Sequence, residues 1–140
     1  MLKAFAASKI KGLPVNKTSL LVVDDDPTIR QIVTLLLQDK YNVTACCNVD
    51  DAIEQWNLAK PELLLTDIEM GVRSGLDLIK HVRQFDQDIP IIVMSGALSA
   101  QLSCNYIESL GANKVVPKPF SILELTDLIG ELLAGRNLVA

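Results

Sequence analysis

The chain has 140 residues, 49% of them hydrophobic, and a net charge of -4 at pH 7. That length suits one domain, and this apolar fraction is enough to form a sizeable core. Acidic and basic residues are interspersed, so no basic stripe predicts direct binding of nucleic acid. No apolar run approaches the roughly 20 residues of a membrane span, and none is typical of a secretion signal. We therefore expect a cytoplasmic protein without membrane contact.

Five short apolar runs are predicted to be β-strands. They lie at residues 19–23, 42–46, 62–66, 91–94 and 114–116. Runs of this length, bounded by turn residues, are typical of strands buried on both faces of a parallel sheet. Pro117 follows the fifth run and has no N–H to donate, which predicts an edge position for that strand.

Helical patterns alternate with these runs, which predicts an α/β fold. Asp26 and Asn48 are expected to cap the first two helices, and Ser99 the fourth. Gly111 is expected to adopt a left-handed conformation after helix four, and Gly135 to end helix five. The apolar spacing predicts that helix one buries Ile29, Ile32, Val33 and Leu36.

The cysteines and the one histidine are not expected to carry chemistry. Cys46, Cys47 and Cys104 are odd in number and form no C-x-x-C pair, which indicates reduced thiols. His81 lies among the polar positions of helix three, which favours a solvated side chain over a phosphorylated one.

Two of the apolar runs end directly on carboxylates. The first continues into Asp24, Asp25 and Asp26, and the third into Asp67. Because parallel strands place their carboxyl ends at one edge of the sheet, we expect these acids to converge. Two like charges about 4 Å apart repel by roughly 1 kcal/mol in water and roughly 4 kcal/mol at an effective dielectric near 20. The cluster therefore predicts a site for a hard metal ion.

Ser95 and Lys118 follow the fourth and fifth runs and are expected at the same edge. Together the motifs LLVVDDDP, LLLTDIEM, IIVMSGA and VVPKPF resemble the receiver domain of bacterial two-component response regulators. The resemblance covers residues 18–135, leaving a lysine-rich N-terminal extension, 1–17, and a C-terminal tail, 136–140. It implies a flavodoxin-like, doubly wound sheet of five parallel strands, in the order 2-1-3-4-5, with helices on both faces.

The resemblance also implies a metal-dependent phosphoacceptor. Asp67 matches the carboxylate that becomes an aspartyl phosphate. Asp25 matches the direct Mg²⁺ ligand, Asp24 the acid that holds the ion partly through water, and Glu69 the residue whose backbone carbonyl ligates it. Mg²⁺ suits this set because it takes oxygen ligands, including the phosphate, and keeps several waters.

Two further residues complete the implied switch. Lys118 matches the lysine that bridges to a phosphoryl oxygen, and Ser95 the hydroxyl that turns toward the phosphorylated aspartate and moves the loop after strand four. The family has a cis bond where Lys118 meets Pro119. The implied partners are a histidine kinase or phosphotransfer protein, and an unknown output protein. The only implied catalysis is phosphotransfer to Asp67 and its autodephosphorylation.

Three positions depart from the pattern of the family. Gly71 stands where proline is usual, and Val115 where an aromatic ring usually moves with the switch. Glu69 adds a charged side chain beside the pocket, and we hypothesise that it alters autodephosphorylation.

Other functions remain open. A magnesium-dependent phosphatase or phosphotransferase of the haloacid-dehalogenase type would want an acid two residues after the nucleophile, and Glu69 has that spacing. Such an enzyme would, however, need a cap insertion that the sequence lacks. The chain could also be a receiver that has lost phosphorylation, or one excised from a larger regulator or hybrid kinase.

Overall fold

A computed structural model describes residues 17–96 and 103–139. The strands are β1 (Ser19–Val23), β2 (Asn42–Cys46), β3 (Leu63–Asp67), β4 (Ile91–Ser95) and β5 (Lys114–Pro117). The helices are α1 (Pro27–Leu37), α2 (Val49–Ala59), α3 (Gly75–Phe85), α4 (Cys104–Ser109) and α5 (Ile122–Val139). The strands form one parallel sheet in the order β2-β1-β3-β4-β5. The predicted α/β class, strand order and edge position of the fifth strand are confirmed.

The sheet separates two hydrophobic clusters, one on each face. Successive residues of a strand point to opposite faces, so Leu64 of β3 packs with α2, α3 and α4. Leu63 and Leu65 pack on the other face with α1 and α5. Every residue of β3 and β4 is buried, which explains why both strands read as continuous apolar runs. Helices cover both faces, as the resemblance implied.

Helix α1 begins as predicted, but its buried face is displaced. Asp26 caps it by accepting a hydrogen bond from a first-turn amide at 2.8 Å. The fully buried residues are Val33 and Leu37, whereas Ile32 and Leu36 are 42% and 50% exposed. The prediction that those two are buried is wrong. With 3.6 residues per turn, each lies one position, or about 100°, before a buried residue.

The other predicted helix caps have mixed outcomes. Asn48 caps α2 as expected, accepting from a backbone amide at 2.8 Å. Ser99 lies outside the described residues; α4 begins at Cys104 and is capped by Ser103. Gly111 follows α4 with φ +123°, which confirms the positive backbone angle expected there.

Gly135 does not end helix five. A glycine ends a helix when its backbone turns to positive φ, and Gly135 does not do so. The helix continues to Val139. It therefore runs without a break past residue 136, where the predicted C-terminal tail would begin. Among the described residues, no helix is long and apolar enough to cross a membrane.

His81 is half-buried rather than solvated. Its ring centroid lies 5.9 Å from that of Trp56 and 5.2 Å from that of Phe85. The prediction failed because these aromatic neighbours come partly from another helix. The three cysteines are free thiols, the first buried and the other two exposed.

Candidate functional site

The acids predicted to converge do meet at the carboxyl edge of the sheet. β1 and β3 are neighbours in parallel register, with Val23 opposite Thr66. This pairing brings Asp24, Asp25 and Asp67 together, each with a carboxylate oxygen within 4.8 Å of the others. We call these three residues the acidic site. It is closed on one side and open on the other, because Asp24 and Asp67 are buried whereas Asp25 is exposed.

Asp24 is the anchored member of the acidic site. Its Oδ1 accepts a hydrogen bond from the amide of Asp26 at 2.9 Å, which closes the turn into α1. Its Oδ2 accepts from Lys118 Nζ at 2.8 Å. Arg30 Nη1 donates to the Asp24 carbonyl at 2.7 Å. With both carboxylate oxygens engaged, this fully buried side chain is held in one orientation.

Asp67 is less well compensated. Its Oδ1 accepts from the amide of Ile68 at 2.8 Å, and its Oδ2 lies 3.5 Å from Lys118 Nζ. Burial raises the pKa of the Asp67 carboxyl, and the negative charge of Asp24 raises it further, outweighing the help from Ile68 and Lys118. The ammonium of Lys118 therefore compensates the ionised form of Asp67 only in part.

Lys118 is the cation of the site. Burial acts to lower the pKa of its ammonium, but the hydrogen bond to Asp24 and the charges of Asp24 and Asp67 outweigh burial and raise that pKa. The ammonium is therefore firmly charged at neutral pH. The acidic site holds three carboxylates, and this ammonium pairs with only two of them, Asp24 and Asp67. A divalent cation with oxygen ligands fits this donor set.

Ser95 ends β4 at the same edge of the sheet. It is 3% exposed and stands opposite Pro117 in the β4–β5 register. The amide of Lys118 donates to the Ser95 carbonyl at 2.7 Å, so these two residues are linked through their backbones. The bond between Lys118 and Pro119 is cis, as the resemblance implied.

Gly75 has a structural role that sequence reasoning did not derive. Its amide donates to the Ile68 carbonyl at 2.7 Å, which holds the start of α3 against the end of β3. A Cβ atom at this position would overlap the carbonyl oxygen of Asp67. The signal in the sequence is a glycine directly after Ser74, which forms a capping box with Asp77.

The loop between β3 and α3 explains one departure from the family pattern. Gly71 has φ +75°, which proline, with φ near -65°, cannot adopt. In the same loop, Arg73 Nη1 lies 2.7 Å from Asp50 Oδ1 and ties the loop to α2. These partners are 23 residues apart, so no local motif could reveal the pair.

Glu69 and Val115 take different positions relative to the site. Glu69 is exposed, and its carboxylate is not part of the acidic site. The pair of acids that a dehalogenase-type phosphatase requires is therefore not assembled with Asp67. Val115 is partly buried and packs on the cluster shared by α2, α3 and α4, opposite Val93 of β4.

Comparison with known proteins gives a consistent family. A family model described as the response regulator receiver domain matches residues 20–130. The protein-glutamate methylesterase/protein-glutamine glutaminase of Clostridium acetobutylicum is 30% identical over 126 residues, which cover 85% of this chain and 36% of that protein. The transcriptional regulatory protein KdpE of Staphylococcus aureus is 34% identical over 110 residues, covering 78% and 47% respectively. The chain spans less than half the length of either relative.

Solved structures agree with the fold. The chemotaxis response regulator CheY4 of Vibrio cholerae matches with a TM-score of 0.75 and 26% identity, over 84% of this chain and 99% of that one. A CheY-like receiver domain protein from Methanospirillum hungatei matches with a TM-score of 0.84, over 89% and 100%. At 20% identity, the second match bears on the fold alone.

Proposed function

Because the chain belongs to the response regulator receiver family, we propose that it is a phosphorylation-dependent signalling switch whose phosphoacceptor is Asp67. The observation that carries the proposal is the position of Asp67. Its carboxylate ends β3 within reach of Lys118 Nζ, at 3.5 Å, and beside two further carboxylates. Residues 18–135 are the proposed receiver unit, acting in the cytoplasm.

The proposed phosphoryl donor is a phosphohistidine of a histidine kinase or phosphotransfer protein. A carboxylate oxygen of Asp67 forms a bond to phosphorus while the bond from phosphorus to the imidazole nitrogen breaks. The electron pair of that bond stays on the imidazole, which takes up a proton. A carboxylate attacking an anionic phosphoryl group is opposed by charge repulsion, so nearby positive charge is required.

The acidic site supports Mg²⁺ as the cofactor that meets this need. The carboxylates of Asp24, Asp25 and Asp67, with the backbone carbonyl of Glu69, would hold the ion. Bound there, Mg²⁺ supplies positive charge toward the phosphoryl oxygens. The protein contributes the orientation: the Asp26 amide and Lys118 hold Asp24.

Lys118 and Ser95 are proposed to convert phosphorylation into a change of shape. The Lys118 ammonium would exchange part of its interaction with Asp24 for a phosphoryl oxygen. The Ser95 hydroxyl would turn toward the same group, drawing with it the segment that follows β4. Because Val115 offers no aromatic relay, we propose that the signal passes through the backbone bond between Lys118 and Ser95. An output protein would then bind the altered face.

The proposal is tested by incubating the protein with Mg²⁺ and acetyl phosphate and measuring its intact mass. One phosphoryl adduct is expected, absent from Asp67→Asn and from samples with EDTA. An adduct that survives in Asp67→Asn would contradict the assignment. Repeated release of phosphate from a small phosphate ester would instead favour the phosphatase. No adduct in the wild-type protein would indicate a receiver that has lost phosphorylation.

The same assay tests the proposed effect of Glu69 on the lifetime of the phosphoryl group. The decay of the adduct is followed in the wild-type protein and in Glu69→Ala. A changed decay rate is expected, because the charged side chain lies two residues from Asp67. An unchanged rate in Glu69→Ala would exclude this effect.

A further inference from the structure

A cavity lies at the edge of the sheet opposite the acidic site. It has a volume of about 600 Å³ and is bordered by Pro90, Asn113, Leu132 and Arg136 among others. Pro90 precedes β4 and Asn113 precedes β5, so one wall is formed where these strands begin. Helix α5 has 18 residues, or about 27 Å at 1.5 Å per residue, and β4 is shorter, at about 17 Å. The last turns of α5 therefore overhang this edge and form the other wall.

Arg136 is the unusual group in this cavity. Its Nη1 is buried but has no hydrogen-bond partner among the described residues. A buried donor without an acceptor is destabilising, and more so when it is charged. Its charge also acts on Arg83, whose pKa is lowered mainly by burial, raised by Asp86 and Asp88, and lowered further by Arg136. A guanidinium group that borders a cavity and has a nitrogen without an acceptor favours an anionic group such as a carboxylate.

The remaining polar groups argue against a simple anion as the whole ligand. Asp88 and Glu131 also border the cavity, and both are exposed. Their negative charges would repel an anion but attract an ammonium group. The side-chain oxygen of Asn113 is already used by the Ile91 amide, at 2.8 Å, and by Arg83, at 3.1 Å.

We propose that this cavity binds an apolar α-amino acid, with its carboxylate on Arg136, its ammonium group facing Glu131 and Asp88, and its side chain on Pro90 and Leu132. The charges of such a zwitterion complement those of the cavity. The volume, at about 600 Å³, lies within the usual range of small-molecule sites. Nothing in the proposed phosphorylation chemistry requires this site.

Two glycines of α5 give a matched pair of variants. A Cβ on Gly135 or on Gly130 would meet no atom within 4 Å, so both positions accept a side chain. Gly135 borders the cavity, whereas Gly130 does not. Gly135→Met should therefore fill the cavity, and Gly130→Met should leave it open. Both changes raise helix propensity by a similar amount, so a difference between them is not explained by the stability of the helix.

The test is a titration of the full chain with L-leucine, followed by the amide NMR signals of Asn113, Leu132 and Gly135. Binding in the millimolar range is expected. Arg136→Gln should weaken it by about tenfold or more, the loss expected for a hydrogen bond to a charged group. Gly135→Met should abolish binding, and Gly130→Met should keep it within about twofold of wild type. Parallel titrations use 4-methylpentanoate, which lacks the ammonium group, and isopentylamine, which lacks the carboxylate.

The outcomes separate the proposal from its competitors. Leucine binding at least severalfold tighter than that of either analogue supports a zwitterion site. Binding of 4-methylpentanoate as tight as that of leucine would overturn it, since the ammonium group would then contribute nothing. The proposal also fails if no cavity signal shifts at tens of millimolar leucine, or if the two glycine variants lose binding equally. An unchanged affinity in a folded Arg136→Gln would remove Arg136 from any such site.

Discussion

Strand β3 contains two buried regions, one with apolar surroundings and one with charged surroundings. Leu63, Leu64 and Leu65 are completely buried among apolar side chains from both faces of the sheet. Two residues further along, Asp67 is also buried, but it faces Asp24 and shares one ammonium with it. The first region stabilises the fold and the second opposes it. The acidic site is thus held in place by the leucines behind it.

The largest expected effect comes from weakening the apolar region. Leu65→Ala should lower the free energy of unfolding by about 3 kcal/mol, within the 2–5 kcal/mol typical of buried leucines, because it leaves a cavity beneath α1 and α5. In a domain of this size the midpoint of thermal unfolding should fall by roughly 4 °C for each kcal/mol. Leu123→Ala is the control, since Leu123 is 74% exposed. Equal losses in both variants would contradict the comparison.

A smaller loss of stability is expected at Gly75, where the start of α3 lies against the end of β3. Gly75→Ala should destabilise the fold by about 1–3 kcal/mol, the usual cost of overpacking, because the new Cβ would overlap the Asp67 carbonyl. The sign is informative, since glycine to alanine within a helix normally stabilises by up to about 1 kcal/mol. Gly130→Ala, with open space around its Cβ, should show that gain. Denaturant unfolding of both variants measures the difference, and a gain in Gly75→Ala would refute the close approach.

The apolar region of the sheet was predictable because its information is local. A strand buried on both faces is apolar at most positions, so the apolar runs of β3 and β4 are visible in the sequence. Asp26 and Asn48 similarly carry their capping roles in their residue type and in the turn they precede. The convergence of the acids also followed, because the carboxyl ends of parallel strands share an edge.

The errors concern features set by distant partners. Which side of α1 is buried depends on how that helix is rotated against the sheet, so Ile32 was misassigned. His81 is half-buried because Trp56 reaches it from α2. The role of Gly75 depends on the distance between α3 and β3, and that of Arg73 on a partner in another helix. None of these relations leaves a periodic signal in the sequence.

The finest test of the comparison is a change that removes the charge of Asp67 but keeps its shape. Asp67→Asn retains an oxygen that can accept from the Ile68 amide. Without metal at pH 7 it should raise the free energy of unfolding by about 1 kcal/mol, the order expected from removing one repulsive charge contact. Asp39→Asn, at an exposed position, is the control and should change little.

The dependence of this gain on pH identifies its cause. Because the pKa of Asp67 is raised in the folded protein, the native state binds its proton more tightly than the unfolded state does. The stabilisation from that proton is present below the ordinary value of 3.8 and is lost as pH rises through the folded pKa. The advantage of Asp67→Asn in EDTA should therefore be full at pH 7 and vanish toward pH 4.

A saturating concentration of Mg²⁺ should reverse the order of stability of the two proteins at pH 7, since an ion at about 100 times its dissociation constant adds about 2.7 kcal/mol to the protein that binds it. Denaturant unfolding of both proteins at both pH values, with EDTA or Mg²⁺, measures the effect of the Asp67 charge and the stabilisation by the ion. An asparagine variant less stable than wild type in EDTA at pH 7 would mean that ionised Asp67 contributes to the fold rather than opposing it.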